Sequence, residues 1–395
     1  MFRAFQVVLQ PTAGQAAALQ RLLDAQRELY NAALEERIGV WRHEHRTVTR
    51  FEQFRGLTGW DHPVLDFGVC PARGTLTRLD RAFKAFHQRC RDGATPGFPR
   101  FKSTTRWDSV EYPDTSCWQV TQTSGAVGRV TLKGVGGVRW RGSRRGIRGT
   151  PNTLTLRRCG RRWIITVFCG DVPAQPLEPS DAAVGVDVGV SELVATSDGV
   201  LVGNPRHLRR SLDRLAEAQR VVAGRRRGSM RRRQAAERVA RLHRKIANQR
   251  RDHAHQVSRR LVNRYGTIVH EDLKIPNMVR RPAPRPNDDG GFDPNGAAAK
   301  GGLNREILAA GWGLLLRCIT YKAEEAGRDV ITVNPRHTSQ TCHSCGNVDP
   351  ENRHATQFRC TRCGHVDHAD NNAARNILRA GLAHRHERQA DNNVA

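Results

Sequence analysis

Long apolar runs are missing from this 395-residue chain: no stretch of roughly 18 apolar residues occurs, and no signal peptide or lipidation motif is found. That excludes a membrane-spanning helix and leads to the expectation of a protein of a bacterial-type cytosol, with no membrane partner. Aromatic residues are scarce at 6%, so the remaining charge does not decorate an unusually large aromatic core. Acidic residues are short too: 38 Asp and Glu stand against 65 Lys and Arg, a net charge of +27. Such an excess repels itself unless a polyanion neutralises it, and nucleic acids are the abundant cellular polyanions. Paired cysteine spacing is absent over most of the chain. Cys70, Cys90, Cys117, Cys159, Cys169 and Cys318 are scattered, which argues for reduced thiols rather than a disulfide framework.

What is present is concentrated near the C-terminus. Two Cys-x-x-Cys knuckles, Cys342/Cys345 and Cys360/Cys363, are separated by fourteen residues. Four thiolates so spaced can close a tetrahedral structural zinc site, each knuckle giving two ligands from one tight turn. Arg353, Arg359 and Arg362 lie close enough in sequence to offset its negative charge.

Upstream, Phe2–Leu9 reads as a strand, and Thr12 with Gln15 makes a capping box for a helix carrying Leu19, Leu22, Leu23, Gln26, Tyr30 and Ala33 at helical spacing. A helical pattern covers residues 50–90. Between Pro96 and Val172 the pattern changes to short β-prone runs, at 97–102, 127–132, 138–141, 154–156 and 163–168, suggesting a small barrel or sandwich. Lys102, Arg106, Arg139, Arg141, Arg144, Arg145 and Arg148 make it basic. Residues 173–180 are punctuated by proline and mark the main boundary. Beyond it, 183–190 is apolar enough to be a strand buried on both faces, followed by a hairpin over 191–202. Residues 206–261 read as two helices around a turn in which Arg225, Arg226, Arg227, Arg231, Arg232 and Arg233 are candidates for phosphate contact. A second buried strand covers 267–273, an aperiodic loop 281–302, a helix 303–327, a strand 330–333 and a closing helix 370–382, with frayed residues after 383.

Asp187 sits inside the apolar strand, where an isolated carboxylate is costly unless a cation matches it. Glu271 ends the second strand and Asp370 opens the closing helix. Three such acids can hold two Mg²⁺ ions about 3.5–4 Å apart and hydrolyse a phosphodiester. Asp272 and Asp367 are alternatives in each neighbourhood, and Asp370 also suits a helix N-cap.

GVDVG at Asp187, VHEDLKI at Glu271, TSQTCHSCG, FRCTRCG and HADNNAARNIL at Asp370 together resemble the RuvC-like motifs and inserted zinc finger of the TnpB/OrfB transposon proteins, relatives of type V CRISPR effectors. The resemblance implies a multidomain α+β fold: a basic β-barrel wedge domain (1–15 and 96–180) with a helical recognition insertion (16–95), then a ribonuclease-H-like RuvC α/β domain (181–339 and 366–395) interrupted by a four-cysteine zinc finger (340–365). It implies an RNA-guided, Mg²⁺-dependent DNA endonuclease using a guide RNA from the transposon end and cutting duplex DNA beside a short flanking motif, with sequence read by base pairing. Asp187, Glu271 and Asp370 would be the catalytic metal ligands. Lys84 and Gln88, with Lys102, are carried over as nucleic-acid contacts. A strand-transfer transposase and a guided DNA-binding repressor without nuclease activity are the competing expectations.

Overall fold

The computed structural model describes residues 1–57, 62–142 and 146–394; Arg144 and Arg145 lie outside the described residues. Two compact units are formed, Met1–Pro173 and Ala174–Ala395.

In the first unit, strand β1 (Arg3–Gln10) buries Val7 and Leu9 and turns Val8 outward, the period-two pattern of a half-covered strand. Thr12 and Gln15 close the expected capping box at 3.3 and 3.1 Å and start helix α1 (Ala13–Glu44), whose stripe from Leu19 to Ala33 is buried. The helical pattern over 50–90 is broken into α2 (Arg50–Gly56) and α3 (Val69–Arg91). Pro63 lacks the N–H that a continuing helix needs, and Gly68 holds φ +88°, a conformation open mainly to glycine. Six strands follow: β2 (Ser109–Tyr112), β3 (Trp118–Ser124), β4 (Val127–Leu132), β5 (Gly136–Arg141), β6 (Thr150–Cys159) and β7 (Arg162–Gly170).

With β1 they make one seven-stranded sheet in the order β2-β6-β7-β1-β5-β4-β3. The first strand of the chain is thus interior, antiparallel to β7 on one side and β5 on the other. β2 and β3 end the sheet, and among the described residues the pairing does not close on itself. Residues 97–102, expected as a strand, are an irregular loop. Gly97 has φ +60° and Pro99 offers no donor to a ladder.

The second unit is built on a five-stranded sheet, β10-β9-β8-β11-β12, from β8 (Ala183–Asp187), β9 (Glu192–Thr196), β10 (Leu201–Gly203), β11 (Thr267–Glu271) and β12 (Asp329–Val333). β8 and β11 run parallel at its centre and are apolar on both faces. The remaining elements are α4 (Leu212–Ala223), α5 (Met230–Arg264), the short α6 (Ile275–Met278), α7 (Ala297–Ala310), α8 (Trp312–Ala326), a small sheet of β13 (Arg353–His354), β14 (Gln357–Arg359) and β15 (Val366–His368), and α9 (Ala369–Val394). The helix expected over 303–327 is two helices, split at Gly311 with φ +77°. α9 runs on through the region expected to fray. Residues 174–180 lie along this unit: the N–H groups of Gln175 and Leu177 donate to the carbonyls of Glu325 and Ala326.

Alternation assigns the faces of the sheet. Val184, Val186 and Ile268 pack with Val257, Leu261 and Ile319 of α5 and α8. Val269 and Val333 pack with Ile377 of α9 on the other face. Gly185 is required there, because a Cβ on it would lie 2.0 Å from the Ala374 carbonyl oxygen and 2.7 Å from the Leu378 nitrogen. α9 therefore rests directly on the backbone of β8.

A candidate metal centre and nucleic-acid contacts

Side chains two residues apart on a strand share a face. Asp187 follows Gly185 by two and Glu271 follows Val269 by two, so both carboxylates emerge on the face covered by α9. They sit one residue beyond the paired Val186 and His270, at the carboxyl ends of adjacent parallel strands. Asp370, in the first turn of α9, reaches the same place: its Oδ2 is 3.7 Å from where a Cβ on Gly189 would be. Asp370 is 6% exposed.

Electrostatics report this proximity. Burial, followed by the neighbouring Glu271 and Asp370 carboxylates, pushes the Asp187 carboxyl up to about 7; Arg353 and the Val188 N–H oppose the rise. Burial also raises Glu271, against the pull of the Thr338 hydroxyl and Arg353. Thr338 Oγ1 donates to Glu271 Oε1, and Arg353 Nη2 donates to Asp370 Oδ1 at 2.7 Å. Arg353, expected beside the cysteine block, is thus engaged with an acid. The three carboxylates are not all within 4.8 Å of one another, in contrast to the four cysteine sulfurs. Hard oxygen donors, buried, mutually repelling and with one guanidinium among them, suit divalent cations such as Mg²⁺.

The alternative acids point elsewhere. Asp272 pairs with Lys274 at 2.7 Å and is half exposed, while Asp367 takes Arg375 Nη1 at 2.7 Å. Asp370 lies within α9, which starts at Ala369, and its carboxylate is occupied by Arg353.

Cys342, Cys345, Cys360 and Cys363 converge with all sulfurs within 4.8 Å. The approaches across the two knuckles, 3.8 Å for Cys342–Cys363 and 3.5 Å for Cys345–Cys360, are far beyond a disulfide bond of about 2.05 Å. The Cys363 N–H, 3.4 Å from Cys360 Sγ, pulls that thiol down to about 6. A tetrahedral thiolate site is what this donor set fits. The block is tied to α9: Asn372 accepts from the His343 N–H and donates to the Thr341 carbonyl, Asn376 donates to the carbonyls of Thr338 and Thr341, and Arg379 donates to that of His343. One helix therefore holds both the cysteine block and the last carboxylate. Sequence reading missed these ties and Thr338; the run of Asn and Arg at helical spacing after Asp370 was the available signal.

The basic candidates divide. Lys84 and Gln88 lie one turn apart on α3, with Lys84 against Asp80 at 3.3 Å and Gln88 donating to Asp92 at 2.8 Å. Lys102 lies in the 97–102 loop. Arg225, Arg226 and Arg227 are exposed in the turn from α4 to α5, and Arg231 and Arg233 are in the exposed first turn of α5. Arg232 has an internal role, donating to the carbonyls of Val222 and Arg225 at 2.6 and 2.9 Å and so closing the end of α4. Among the described residues, no helix is long and apolar enough to cross a membrane.

Comparison with known proteins gives matches along the chain. Residues 1–46 match a family model described as a helix-turn-helix domain, 167–281 the OrfB_IS605 model described as a probable transposase, and 312–377 the Cas12f1-like TNB domain. The structure gives 1–46 a strand and one uninterrupted helix instead of a helix pair. A protein of Escherichia coli (strain K12), provisionally named RNA-guided DNA endonuclease InsQ, is 31% identical over 391 residues, covering 96% of this chain and 92% of its own length. A Streptomyces pristinaespiralis protein, provisionally named RNA-guided DNA endonuclease, is 33% identical over 393 residues, 96% of this chain and 90% of its own. Among solved structures, the mini-RNA-guided endonuclease CRISPR-Cas_phi3 aligns with 97% of this chain and 92% of its own at a TM-score of 0.52 and 10% identity, a likeness of fold alone.

Proposed function

Because the chain belongs to the IS605 OrfB (TnpB) family, we propose that it is an RNA-guided DNA endonuclease whose cutting centre is Asp187, Glu271 and Asp370. The observation that carries this reading is the convergence of three acids from β8, β11 and α9 on one buried face, where Asp187 is pushed up to about 7. Divalent cations, Mg²⁺ in the first instance, would supply activation of water and stabilisation of the leaving oxygen. Asp187 and Glu271, fixed by the strand ends, would hold them from the sheet side and Asp370 from the helix side. Thr338 orients Glu271. Arg353 orients Asp370, and its guanidinium lowers the cost of gathering three carboxylates.

Zn²⁺ on the four cysteines would fix the block that supplies Thr338 and Arg353, which makes its part structural. On this reading the seven-stranded sheet serves as the wedge domain and α1–α3 as the recognition domain. The partners are a guide RNA from the transposon end and duplex DNA with a short flanking motif, and the net charge of +27 supports polyanionic partners.

The test begins with expression alongside native flanking DNA and sequencing of the RNA that co-purifies, followed by cleavage of a matching target. Asp187→Ala is expected to abolish cutting and retain binding; undiminished cutting by that variant defeats the assignment. The match to a model described as a probable transposase favours strand transfer as the second reading. Covalently joined donor and target ends in the same reaction would establish it.

A further inference from the structure

Beside the four cysteines lies a second group of metal-ligating side chains that the proposed chemistry does not use. His343 sits inside the first knuckle, His365 follows Gly364 just after the second, and Asp367 lies in β15. One ligand atom from each falls within 4.8 Å of the other two, and all three residues are half-buried. The two imidazole rings are 4.6 Å apart between centroids. A metal bound at about 2.1 Å holds neighbouring ligand atoms roughly 3–3.4 Å apart, so small side-chain rotations close the set.

The main chain under all three is already fixed. The His343 N–H donates to Asn372 Oδ1 at 3.0 Å, and the His343 carbonyl accepts from Arg379 Nη1 at 3.1 Å. The His365 carbonyl accepts from the Cys360 N–H at 2.9 Å. Asp367 pairs with Phe358 in the β14–β15 ladder, and its Oδ1 accepts from the His368 N–H at 2.7 Å, which leaves Oδ2 to the cluster. His365 Nε2 is buried without a hydrogen-bond partner among the described residues, 3.9 Å from Asp367 Oδ2. Arg375 Nη1 reaches into the same place, 2.7 Å from both His343 Nε2 and Asp367 Oδ2. A guanidinium nitrogen only donates, so His343 presents its Nε2 lone pair and Arg375 stands where a cation is wanted. Through Nε the same guanidinium donates to the Ser197 carbonyl at 3.3 Å, an anchor outside the cluster.

We infer that His343, His365 and Asp367 form a second metal site, for a divalent cation such as Zn²⁺, Ni²⁺ or Co²⁺, with Arg375 as the competing cation that the metal displaces. Two imidazole nitrogens and one carboxylate oxygen favour those ions over Mg²⁺, which takes oxygen donors and suits the three-acid centre. Three protein ligands leave coordination positions open to water. Because both knuckles contribute to the set, it exists only once the cysteine block is folded, so filling of the four-cysteine site comes first. The inference stands apart from the reading of the chain as an endonuclease.

The experiment titrates the full chain, zinc-loaded on its cysteines, with Ni²⁺ in the presence of Mg²⁺ and counts bound nickel and zinc by elemental analysis after equilibrium dialysis. The wild type should take up a nickel ion that His343→Gln and His365→Gln each bind about a hundredfold more weakly, the upper end of what losing even an outer-shell partner costs. Asp187→Ala, in the three-acid centre, should bind it as the wild type does. Arg375→Gln distinguishes a metal site from a merely structural cluster, because removing a positive charge should tighten nickel binding on the order of tenfold. Unchanged or weaker binding in that variant overturns the displacement of Arg375. Retained zinc reports that the block is folded; if Arg375→Gln loses it, His365→Gln, whose Nε2 has no hydrogen bond to lose, decides alone. Nickel uptake unchanged in both histidine variants overturns the site, as does uptake abolished by Asp187→Ala, which would put the ion among the acids. A wild type that takes up no nickel beside its zinc overturns it equally.

Discussion

Replacing Gly185 by alanine tests the geometry of the metal centre without touching a carboxylate. The added Cβ would stand 2.0 Å from the Ala374 carbonyl oxygen, whereas ordinary contact begins at 3.4 Å. Both obstructing groups, Ala374 O and Leu378 N, are backbone, so no side chain can swing aside. α9 must therefore lift from β8 by roughly the 1.4 Å difference between those separations, and Asp370 lies one turn from the contact. Overpacking of this kind costs about 1–3 kcal/mol of stability. A displacement of about 1 Å at a reacting centre can cost on the order of a hundredfold in rate. The expected outcome is a folded protein, with its urea midpoint moderately lowered, that binds RNA and target as the wild type does and cuts roughly a hundred times more slowly. Cutting by Gly185→Ala within a few-fold of the wild type would refute the idea that the contact between α9 and β8 sets the position of Asp370.

Acid titration offers an independent measurement. The folded Asp187 carboxyl at about 7 lies above its ordinary 3.8, so the folded state keeps a proton that the unfolded state releases. Stability of chelator-treated protein should fall as pH rises from about 4 to about 7, by at most on the order of 4 kcal/mol. Asp187→Asn should lack that component, and a wild-type-minus-variant difference that stays flat across the window would contradict it. Cys360→Ser should lose bound zinc and raise amide exchange over 340–365; metal content and exchange equal to the wild type would sink the four-cysteine site. Arg232→Ala should lower the unfolding midpoint through the lost closure of α4, by roughly 1 kcal/mol, while leaving the salt slope of binding intact. A shallower slope in that variant would instead return Arg232 to the phosphate contacts.

Legibility followed the range of the interactions. Asp187 was readable because one charge interrupts an apolar strand, and the cysteine block because both knuckles are local. The Thr12–Gln15 box was readable for the same reason. Sheet order was not, since β1 pairs with strands more than a hundred residues away. The partner of Arg353 was hidden because the ion pair crosses from β13 to α9, and charge balance near the cysteines offered an equally local explanation. β2 and β3, as Ser109–Tyr112 and Trp118–Ser124, mix polar residues into their alternation and gave too weak a strand pattern. The 97–102 loop failed in the other direction: its apolar residues mimic a strand, but Phe98 packs on α3 rather than on a sheet.

The interior place of β1 also bears on how the chain is made. Its neighbours are β5 and β7, and β7 begins only at Arg162. At a synthesis rate of about 5–20 residues per second, the first strand waits roughly 8–30 s on the ribosome before its second partner exists. Through that interval Val7 and Leu9 have no completed sheet to enter, while α1 behind them can already form. The nascent first unit must be kept from premature association until its beginning meets its end, and a slowly translated message would lengthen the exposure in proportion.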